Sequence, residues 1–474
     1  MGFINPRSWV RLPPLVLGEF KIENLQFTMT TVTAGKFIFA GHTWSQAERK
    51  ATFTYELHYK EETFTFTETL LFPQVEEINS IPQELLETIL NNILLSLGVS
   101  YYKIYCPKEL IITNFTLTEE QANFWNTVYT KGLGEFFYKN KIDFRGLISF
   151  PFSSDAAWKS VSFPRKDRSL VGIGGGKDSI VTAELLKKHN KPFTNFVINT
   201  HPIREEVIKL VGGTSITVKR IFDPQLFQLS DREDSYNGHV PVSSHYAFIG
   251  LLCAALYDYR YIIVSNEHSS NYGSVTYHDM EINHQWSKSF EFEAMFQNYV
   301  HIFITPDVTY FSLLRQFTEI GIVKEFVKYP QYFSHFSSCN RNFKITGEKS
   351  ERKWCGECAK CAFAFVMLAA FLPPEKVISI FGQSLFEKKS LLQTYKELLG
   401  TVAIKPFDCV GTPDEVKGAF YLAMEKGYKD DPVMKYYKEE VLPGIPDVGK
   451  LKTEVFVASS SHNIPKEFQK IVSI

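Results

Sequence analysis

The stretch LVGIGGGKDS, residues 170–179, joins an apolar run to a helical pattern that continues to Lys188. Its three glycines let the backbone approach an anion closely and adopt positive φ. The N–H groups at the start of the helix would point at that anion, Ser179 adds a hydroxyl donor and Lys177 adds a charge. Asp178 would repel phosphate, so we expect it to bind Mg²⁺ or to cap the helix. The stretch therefore predicts a phosphate-binding turn between a strand and a helix.

Two common phosphate-binding motifs do not match this turn. A P-loop requires Ser or Thr after its Lys, where Asp178 stands, and Gly at the position of Val171. A dinucleotide G-x-G-x-x-G motif beginning at Gly172 would require Gly at Lys177. The remaining alternative is a tight turn that binds nothing, but three consecutive glycines are more than such a turn needs.

Around this turn, short apolar runs alternate with helical patterns. The sequence predicts strands over residues 170–173, 196–198 and 261–264 and helices over 179–188 and 247–256. Continuous apolar strands between helices are typical of a parallel sheet that is covered on both faces. We therefore predict an α/β domain with a doubly wound parallel sheet.

The part of the chain before this domain has a different pattern. Apolar and polar residues alternate over 25–30 and 53–66, which predicts antiparallel strands. Ser80 and Gln83 have the spacing of a capping box ahead of a helix that we expect to end at Gly98. Thr118 and Gln121 repeat that spacing before another helix.

The chain of 474 residues is long enough for more than one domain. We divide it into a β-rich α+β N-terminal domain (1–160), the α/β domain (168–335), an extension (336–400) and a helical C-terminal tail (401–474).

The charge is balanced, with 51 Lys+Arg against 52 Asp+Glu, which argues against nucleic acid or an anionic membrane as a partner. No apolar run is long enough to span a membrane, and the first residues make a poor secretory signal. We therefore expect a cytoplasmic protein.

Four of the seven cysteines lie in the extension: Cys339, Cys355, Cys358 and Cys361. The last three form two overlapping C-x-x-C pairs, which allow two sulfurs to meet one ion from a tight turn. Four thiolates suit a structural, tetrahedral Zn²⁺ site, and an Fe–S cluster or free thiols are the alternatives. Cys106, Cys253 and Cys409 are interpreted as buried or unassigned.

Polar side chains follow the predicted strand 261–264 directly. Glu267 lies just beyond it, and His284, Lys288 and Glu291 follow in a segment dense in groups that exchange protons. Ligands of open α/β sheets bind outside the carboxyl ends of the strands, so these side chains are well situated for acid–base chemistry. A polar surface loop with structural ion pairs is the alternative. The segment 237–242 is interpreted as a substrate loop or only a turn.

The phosphate turn resembles the Ser-Gly-Gly-x-Asp-Ser loop of the N-type ATP pyrophosphatases, with Gly174 in place of the first Ser. That resemblance implies a doubly wound α/β fold and cleavage of ATP between its α- and β-phosphates, with AMP transferred to an oxygen of the substrate. It also implies the following nucleotide-binding residues: Gly174, Gly175, Gly176, Lys177, Asp178, Ser179, Asn199 and Thr200. Asp178 is in addition the expected Mg²⁺ ligand.

Several stretches together are similar to the ATP-dependent UDP-N-acetylmuramoyl-L-alanyl-L-glutamate epimerases. They are GVSYYK (98–103), GLGEFFYKN (132–140), GGGKDS (174–179), SNE (265–267), NHQWSKS (283–289) and residues 354–361. The resemblance implies that the terminal L-glutamate of UDP-MurNAc-L-Ala-L-Glu is converted to D-glutamate while ATP yields AMP and pyrophosphate. His284 and Lys288 are then the candidate proton carriers, with Glu267 as a third.

Two other functions stay open from the sequence. A four-cysteine site after a pyrophosphatase domain also resembles 7-cyano-7-deazaguanine synthase, although a large N-terminal domain weighs against that enzyme. A nucleotide-binding regulatory module without chemistry is the other, and the intact Lys-Asp-Ser weighs against it. The oligomeric state is not predicted.

Overall fold

The computed structural model describes residues 35–74, 80–344, 350–402 and 404–472. The strand predicted over residues 25–30 lies outside these ranges. The strands are β1 (Gly35–Ser45), β2 (Lys50–Tyr59), β3 (Glu62–Leu71), β4 (Glu109–Ile112), β5 (Ser169–Gly172), β6 (Thr194–Ile198), β7 (Ser215–Ile221), β8 (Tyr261–Val264), β9 (Val275–Tyr277), β10 (Met280–Ile282) and β11 (Thr309–Ser312).

The α-helices are α1 (Gln83–Tyr102), α2 (Glu119–Gly132), α3 (Gly134–Asn140), α4 (Lys177–Lys188), α5 (Pro202–Val211), α6 (Gln225–Ser230), α7 (Val242–Tyr257), α8 (Phe290–Phe303), α9 (Glu319–Phe326), α10 (Asn340–Phe343), α11 (Ala359–Ala369), α12 (Pro374–Phe381), α13 (Leu392–Leu398), α14 (Pro413–Glu425), α15 (Pro432–Tyr436), α16 (Val448–Glu454) and α17 (Lys466–Gln469). Among the described residues, none of these helices combines the length and the apolar character that crossing a membrane requires.

Nine strands form one large sheet, in the order β11-β8-β5-β6-β7-β3-β2-β1-β4. Strands β11, β8, β5, β6 and β7 are parallel to one another, whereas β1, β2, β3 and β7 pair antiparallel in turn. The chain is therefore a mixed α/β protein. The strand order reverses at β5, with β6 on one side and β8 on the other, and such a reversal opens a crevice at the carboxyl ends of the strands.

Both faces of the parallel strands are buried, as the apolar runs predict. Successive side chains of a strand point to opposite faces. Leu170 of β5 belongs to a core that also contains the apolar residues of α7. Val171, the next residue, belongs to a second core with Ile180 of α4. One strand thus joins two helical layers.

The antiparallel strands predicted over residues 53–66 are confirmed by β2 and β3, which pair over their whole length. Residues Thr69 to Leu71 of β3 pair with Lys219 to Ile221 of β7, so the sheet continues across the boundary predicted near residue 160. The division of the chain into domains remains a prediction.

The predicted ends of α1 are wrong at both sides. The helix is capped by Pro82 without a side-chain hydrogen bond, so the predicted box of Ser80 and Gln83 does not form. It continues past Gly98 to Tyr102, because Gly98 packs against the sheet: a Cβ there would lie 2.5 Å from a ring carbon of Phe39. The glycine serves close packing and not helix termination. The predicted capping box at Thr118 and Gln121, in contrast, is confirmed at the start of α2.

Candidate active site

The glycine turn connects β5 to α4 and is held together from within. Gly175 has φ +89°, and a Cβ there would lie 3.3 Å from Arg204, so this position requires glycine. Gly174 differs, because a Cβ there would meet no atom within 4 Å. Ser179 Oγ accepts a hydrogen bond from the Gly174 N–H at 3.3 Å and donates one to the Gly176 carbonyl at 3.1 Å. The hydroxyl thereby orders both ends of the turn.

Asn199 and Thr200 follow β6 beside this turn. The Arg204 guanidinium links the two segments, because it donates to the carbonyl of Gly174 at 3.4 Å and to that of Asn199 at 3.1 Å. Asn199 has φ +58°, and its Oδ1 accepts the Arg220 N–H at 2.7 Å. Thr200 is exposed. The side-chain oxygen of Asn199 thus supports the backbone at this point.

Lys177 is flanked by two carboxylates at the start of α4. Its Nζ lies 2.5 Å from Oδ1 of Asp178 and also forms an ion pair with the carboxylate of Glu319 in α9. Burial opposes the charge on Lys177, but Asp178 and Glu319 raise its pKa well above the usual value. Burial likewise raises the pKa of Glu319, and the charges of Asp178 and Glu267 add to that rise. Like charges are therefore concentrated beside the glycine turn.

Glu267 lies beyond the carboxyl end of β8, where its side chain is buried. Only 4% of it is exposed, and its Oε1 has no hydrogen-bond partner in the part of the chain that the structure describes. Burial raises the pKa of Glu267, and the charge of Asp178 raises it further, whereas Lys288 opposes the shift. A buried carboxyl group with a free oxygen therefore lies next to the glycine turn.

His284 is held by Glu135 of α3. Its Nδ1 hydrogen-bonds the Glu135 carboxylate, and Nδ1 of His239 lies 3.6 Å from the same oxygen. Burial would lower the pKa of His284, but Cys409 and Glu135 raise it to about 9. Burial and the charge of His284 lower the pKa of His239 to about 3. His284 is thus the cationic member of this histidine pair and His239 the neutral one.

Lys288 lies 3.3 Å from the sulfur of Cys409, measured between Nζ and Sγ. The charge of Cys409 raises the pKa of Lys288, although burial opposes this. Burial favours the neutral thiol at Cys409, but Lys288, Lys360 and His284 outweigh it and lower the pKa of Cys409 well below its usual value. The cationic groups around this sulfur therefore favour its thiolate form.

Arg315 supports the backbone on which two of these groups stand. It is fully buried and forms an ion pair with Glu293 at 2.8 Å. It also donates to the carbonyl of Glu267 at 2.8 Å and to that of Lys288 at 2.7 Å. One guanidinium thus ties the end of β8 to the segment that carries Lys288.

The four cysteines of the extension converge. The sulfurs of Cys339, Cys355, Cys358 and Cys361 all lie within 4.8 Å of one another. Such a set of thiolates matches the ligands of a tetrahedral metal site. The segment before it contacts the glycine turn, since the Ser337 N–H donates to the Gly175 carbonyl at 3.2 Å.

The structure brings Glu267 and Lys288 to the edge of the sheet where the glycine turn lies, and His284 joins them through Cys409. Four contributors to this site were not assigned by the sequence reasoning: Glu135, Glu319, Cys409 and Arg315. Glu135 stands within the quoted stretch 132–140, but its contact with His284 spans 149 residues. Neither spacing nor periodicity signals contacts of that range.

A parallel sheet that gathers lysines, carboxylates, a histidine and a thiolate outside the carboxyl ends of its strands defines an α/β protein with a buried acid–base site. The chain belongs to the MurL family: the model of the MurL N-terminal domain matches residues 28–313, and that of the MurL C-terminal domain matches residues 335–448.

Relatives in three bacteria carry the name UDP-N-acetyl-alpha-D-muramoyl-L-alanyl-L-glutamate epimerase. The protein of Xanthomonas oryzae pv. oryzae is 37% identical over 370 residues, which cover 78% of this chain and 82% of the relative. That of a Micromonospora species is 32% identical over 92% of this chain and 97% of its own length. That of Salinispora tropica is 32% identical over 84% of this chain and 87% of its own length.

Proposed function

We propose that this chain is an isomerase that converts UDP-MurNAc-L-Ala-L-Glu to UDP-MurNAc-L-Ala-D-Glu, with ATP cleaved to AMP and pyrophosphate. The names of its relatives support the substrate and the inversion. The observation that carries the mechanism is the glycine turn beside the cluster of Glu267 and Lys288, because it joins an anion-binding backbone to groups that exchange protons. A reaction that consumes ATP in this way would take place in the cytoplasm.

ATP would bind across the turn. The N–H groups of Gly175, Gly176 and the start of α4 suit its phosphates, and Lys177 supplies a positive charge. The open space around Gly174 leaves room for the phosphate oxygens. By resemblance to the ATP pyrophosphatases, Asn199 and Thr200 would lie beside the adenine.

Asp178 is the proposed ligand of Mg²⁺. The charge of Asp178 raises the pKa of Glu267 and that of Glu319, so a divalent cation would relieve a repulsion already present there. When bound, Mg²⁺ would neutralise the phosphates as pyrophosphate leaves.

Adenylation explains why an epimerase would need ATP. The α-proton of an ionised glutamate is very weakly acidic, because its removal adds a second negative charge beside the carboxylate. Attaching AMP neutralises that carboxylate and makes the carbonyl electron-withdrawing. Each tenfold gain in rate requires a barrier that is lower by about 1.4 kcal/mol. Activation of the acyl group would lower the barrier to α-proton removal by many such steps.

Inversion then needs a proton donor or acceptor on each face of a planar enolate, or one mobile group. His284 and Lys288 are the proposed carriers, with Glu267 as a third. Glu135 orients the ring of His284, and Arg315 holds the backbone of Glu267 and Lys288. We therefore assign proton transfer to this cluster and adenylation to the turn.

A deazaguanine-type ligase is the second candidate, since it too would join an ATP-cleaving loop to a four-cysteine site. Its substrate would carry no glutamyl stereocentre. Nucleotide products alone would not separate the two functions, whereas the configuration of the product would.

Solvent hydrogen should enter the α-carbon only when ATP is present. In heavy water with ATP, Mg²⁺ and UDP-MurNAc-L-Ala-L-Glu, we expect a D-glutamyl product that carries one deuterium at the α-carbon, together with AMP. Mass spectrometry and chiral analysis of the released glutamate measure this. Without ATP, the recovered substrate should carry no deuterium. Deuterium uptake without ATP would contradict the coupling of the turn to proton transfer.

The four cysteines are proposed to hold one structural Zn²⁺. The donor set fits, because four sulfurs within 4.8 Å suit tetrahedral thiolate coordination. A zinc ion there would add folding free energy and would fix the segment that contacts Gly175. Cys358 at the start of α11 is a central member, with its sulfur 3.4 Å from that of Cys361.

Purified protein should contain about one zinc per chain. Replacing Cys358 with serine should remove the zinc, lower the midpoint of thermal unfolding and slow AMP formation, because the glycine turn rests on this segment. Elemental analysis, calorimetry and nucleotide analysis measure the three effects. Cys253→Ala, in the core helix α7, is the control and should keep the zinc. Protein that contains no zinc, or that contains iron with a visible charge-transfer band, would contradict the assignment.

A further inference from the structure

Cys409 supplies a nucleophilic sulfur to the site, and this sulfur has several partners there. Its sulfur lies 3.3 Å from Nζ of Lys288, and the two groups Cys409 and His284 interact electrostatically, since Cys409 raises the pKa of His284. The Nδ1 atom of that ring is in turn bonded to Glu135. A nucleophile, an acid–base group and a carboxylate that orients it form the arrangement common to nucleophilic catalysts on unrelated folds.

Two buried side chains, one that interacts with this sulfur and one that follows His284 in the chain, have polar atoms without partners. Glu267, whose charge interacts with that of Cys409, has an unpartnered Oε1, and both amide atoms of Gln285 lack partners among the described residues. Both side chains are more than nine-tenths buried. Burying unpaired polar atoms is unfavourable, so they indicate the position of a polar ligand.

We propose that Cys409 takes the activated glutamyl group from the adenylate and holds it as a thioester while its α-carbon is inverted. The inference rests on the proposed function. The thiolate attacks the carbonyl carbon of the mixed anhydride; the C–S bond forms, the C–O bond to phosphate breaks, and AMP leaves with that electron pair. After inversion, water attacks the thioester carbonyl. The C–O bond to the water oxygen forms, the C–S bond breaks and the thiolate is released, and the water loses both of its protons to leave the free carboxylate.

The state of the sulfur favours this role over that of a base. Because Lys288, Lys360 and His284 hold its pKa well below the usual value, the thiolate has little affinity for a proton from carbon. Its nucleophilicity falls less steeply than its basicity, with a Brønsted coefficient of about 0.4–0.5. A thiolate held between cations therefore attacks carbon more readily than it removes protons.

Thioester formation would also prepare the proton carriers. The negative charge of Cys409 keeps Lys288 and His284 protonated. Once the sulfur is acylated, that charge is gone, and the pKa of both groups falls. The carriers would thus gain proton-accepting capacity only when an acyl group is in place and its α-proton is acidified by a neutral carbonyl.

The test is a single turnover with enzyme in excess over UDP-MurNAc-L-Ala-L-Glu labelled in the glutamate, with ATP and Mg²⁺, quenched in acid at successive times. We expect the label to appear on the precipitated protein, to be released by neutral hydroxylamine and to map to the peptide that contains Cys409. Cys409→Ala should still release pyrophosphate, because adenylation precedes the attack of the thiolate, but it should hold no label and form no D-glutamyl product. If the alanine variant folds poorly, Cys409→Ser, which is closer in shape to the wild type, takes its place and should also fail to invert the substrate.

Cys253→Ala is the matched control and should label and invert like the wild type. If the wild type inverts the substrate but no quench time yields labelled protein, the thioester is overturned while the epimerase assignment stands. Inversion by Cys409→Ala at the wild-type rate overturns it as well. If the wild type releases no AMP from this substrate, the adenylation step itself is absent, and the proposed function and this inference are both wrong.

Discussion

Ser179→Ala should lower the rate of AMP formation about 10²–10³-fold, the loss typical when one preorganised donor is removed from a charged transition state. The hydroxyl bonds the N–H of Gly174 and the carbonyl of Gly176, so its removal frees both ends of the turn. Asp178→Asn should lower the rate of AMP formation by a comparable factor, because it weakens the proposed Mg²⁺ ligand. Nucleotide analysis after incubation with substrate measures both variants.

Ser379→Ala is a matched control, because Ser379 makes the same type of bond, to the carbonyl three residues earlier, on the exposed surface of α12. It should leave AMP formation unchanged. Wild-type rates of AMP formation in Ser179→Ala and Asp178→Asn would contradict the role of the turn. ADP as the nucleotide product of the wild type would contradict cleavage between the α- and β-phosphates.

Arg315→Leu should lower the free energy of unfolding by about 3–5 kcal/mol, the usual cost of breaking a buried ion pair. Burial raises the pKa of Glu293 even with Arg315 beside it, so the loss of Arg315 leaves a carboxylate without its counter-charge in the core. The carbonyls of Glu267 and Lys288 lose a donor at the same time. Epimerisation should therefore fall more steeply than the folded fraction does. Urea unfolding and the deuterium assay measure the two effects.

The double variant Arg315→Leu, Glu293→Leu should recover part of the lost stability, since it removes both charges together. Arg145→Leu is a surface control: Arg145 forms an ion pair with Asp143 at 2.7 Å but is largely exposed, so its unfolding midpoint should not move. A fully stable Arg315→Leu protein would contradict the structural role of this network.

Local sequence predicted those parts of the site that one strand and its following turn specify. The run 170–179 predicted a strand, a glycine turn and a helix, because φ preferences and helix N-terminal chemistry act over a few residues. The spacing of Cys355, Cys358 and Cys361 predicted that their sulfurs converge. Glu267 was predicted near the carboxyl ends of the strands because it directly follows an apolar run.

Local pattern failed where long-range packing decides. Gly98 predicted the end of a helix, but α1 continues through it. The close contact with Phe39 of β1 outweighs the cost of a glycine inside a helix. The change of pattern ahead of the α/β region is visible in the sequence, but the pairing of β3 with β7, which extends the same sheet, is not. Strand pairing depends on the partner that is available and not on the strand's own residues.

The glycine turn, the alternation of strands and helices and the four-cysteine cluster follow from local sequence, because each depends on backbone preference or spacing over short separations. Which acid–base groups lie next to one another depends instead on long-range contacts of the folded chain. Cys409 meets Lys288 across 121 residues, and Lys177 meets Glu319 across 142. These contacts set the charge of each group, since a pKa depends on burial and on neighbouring charges that only the folded chain assembles.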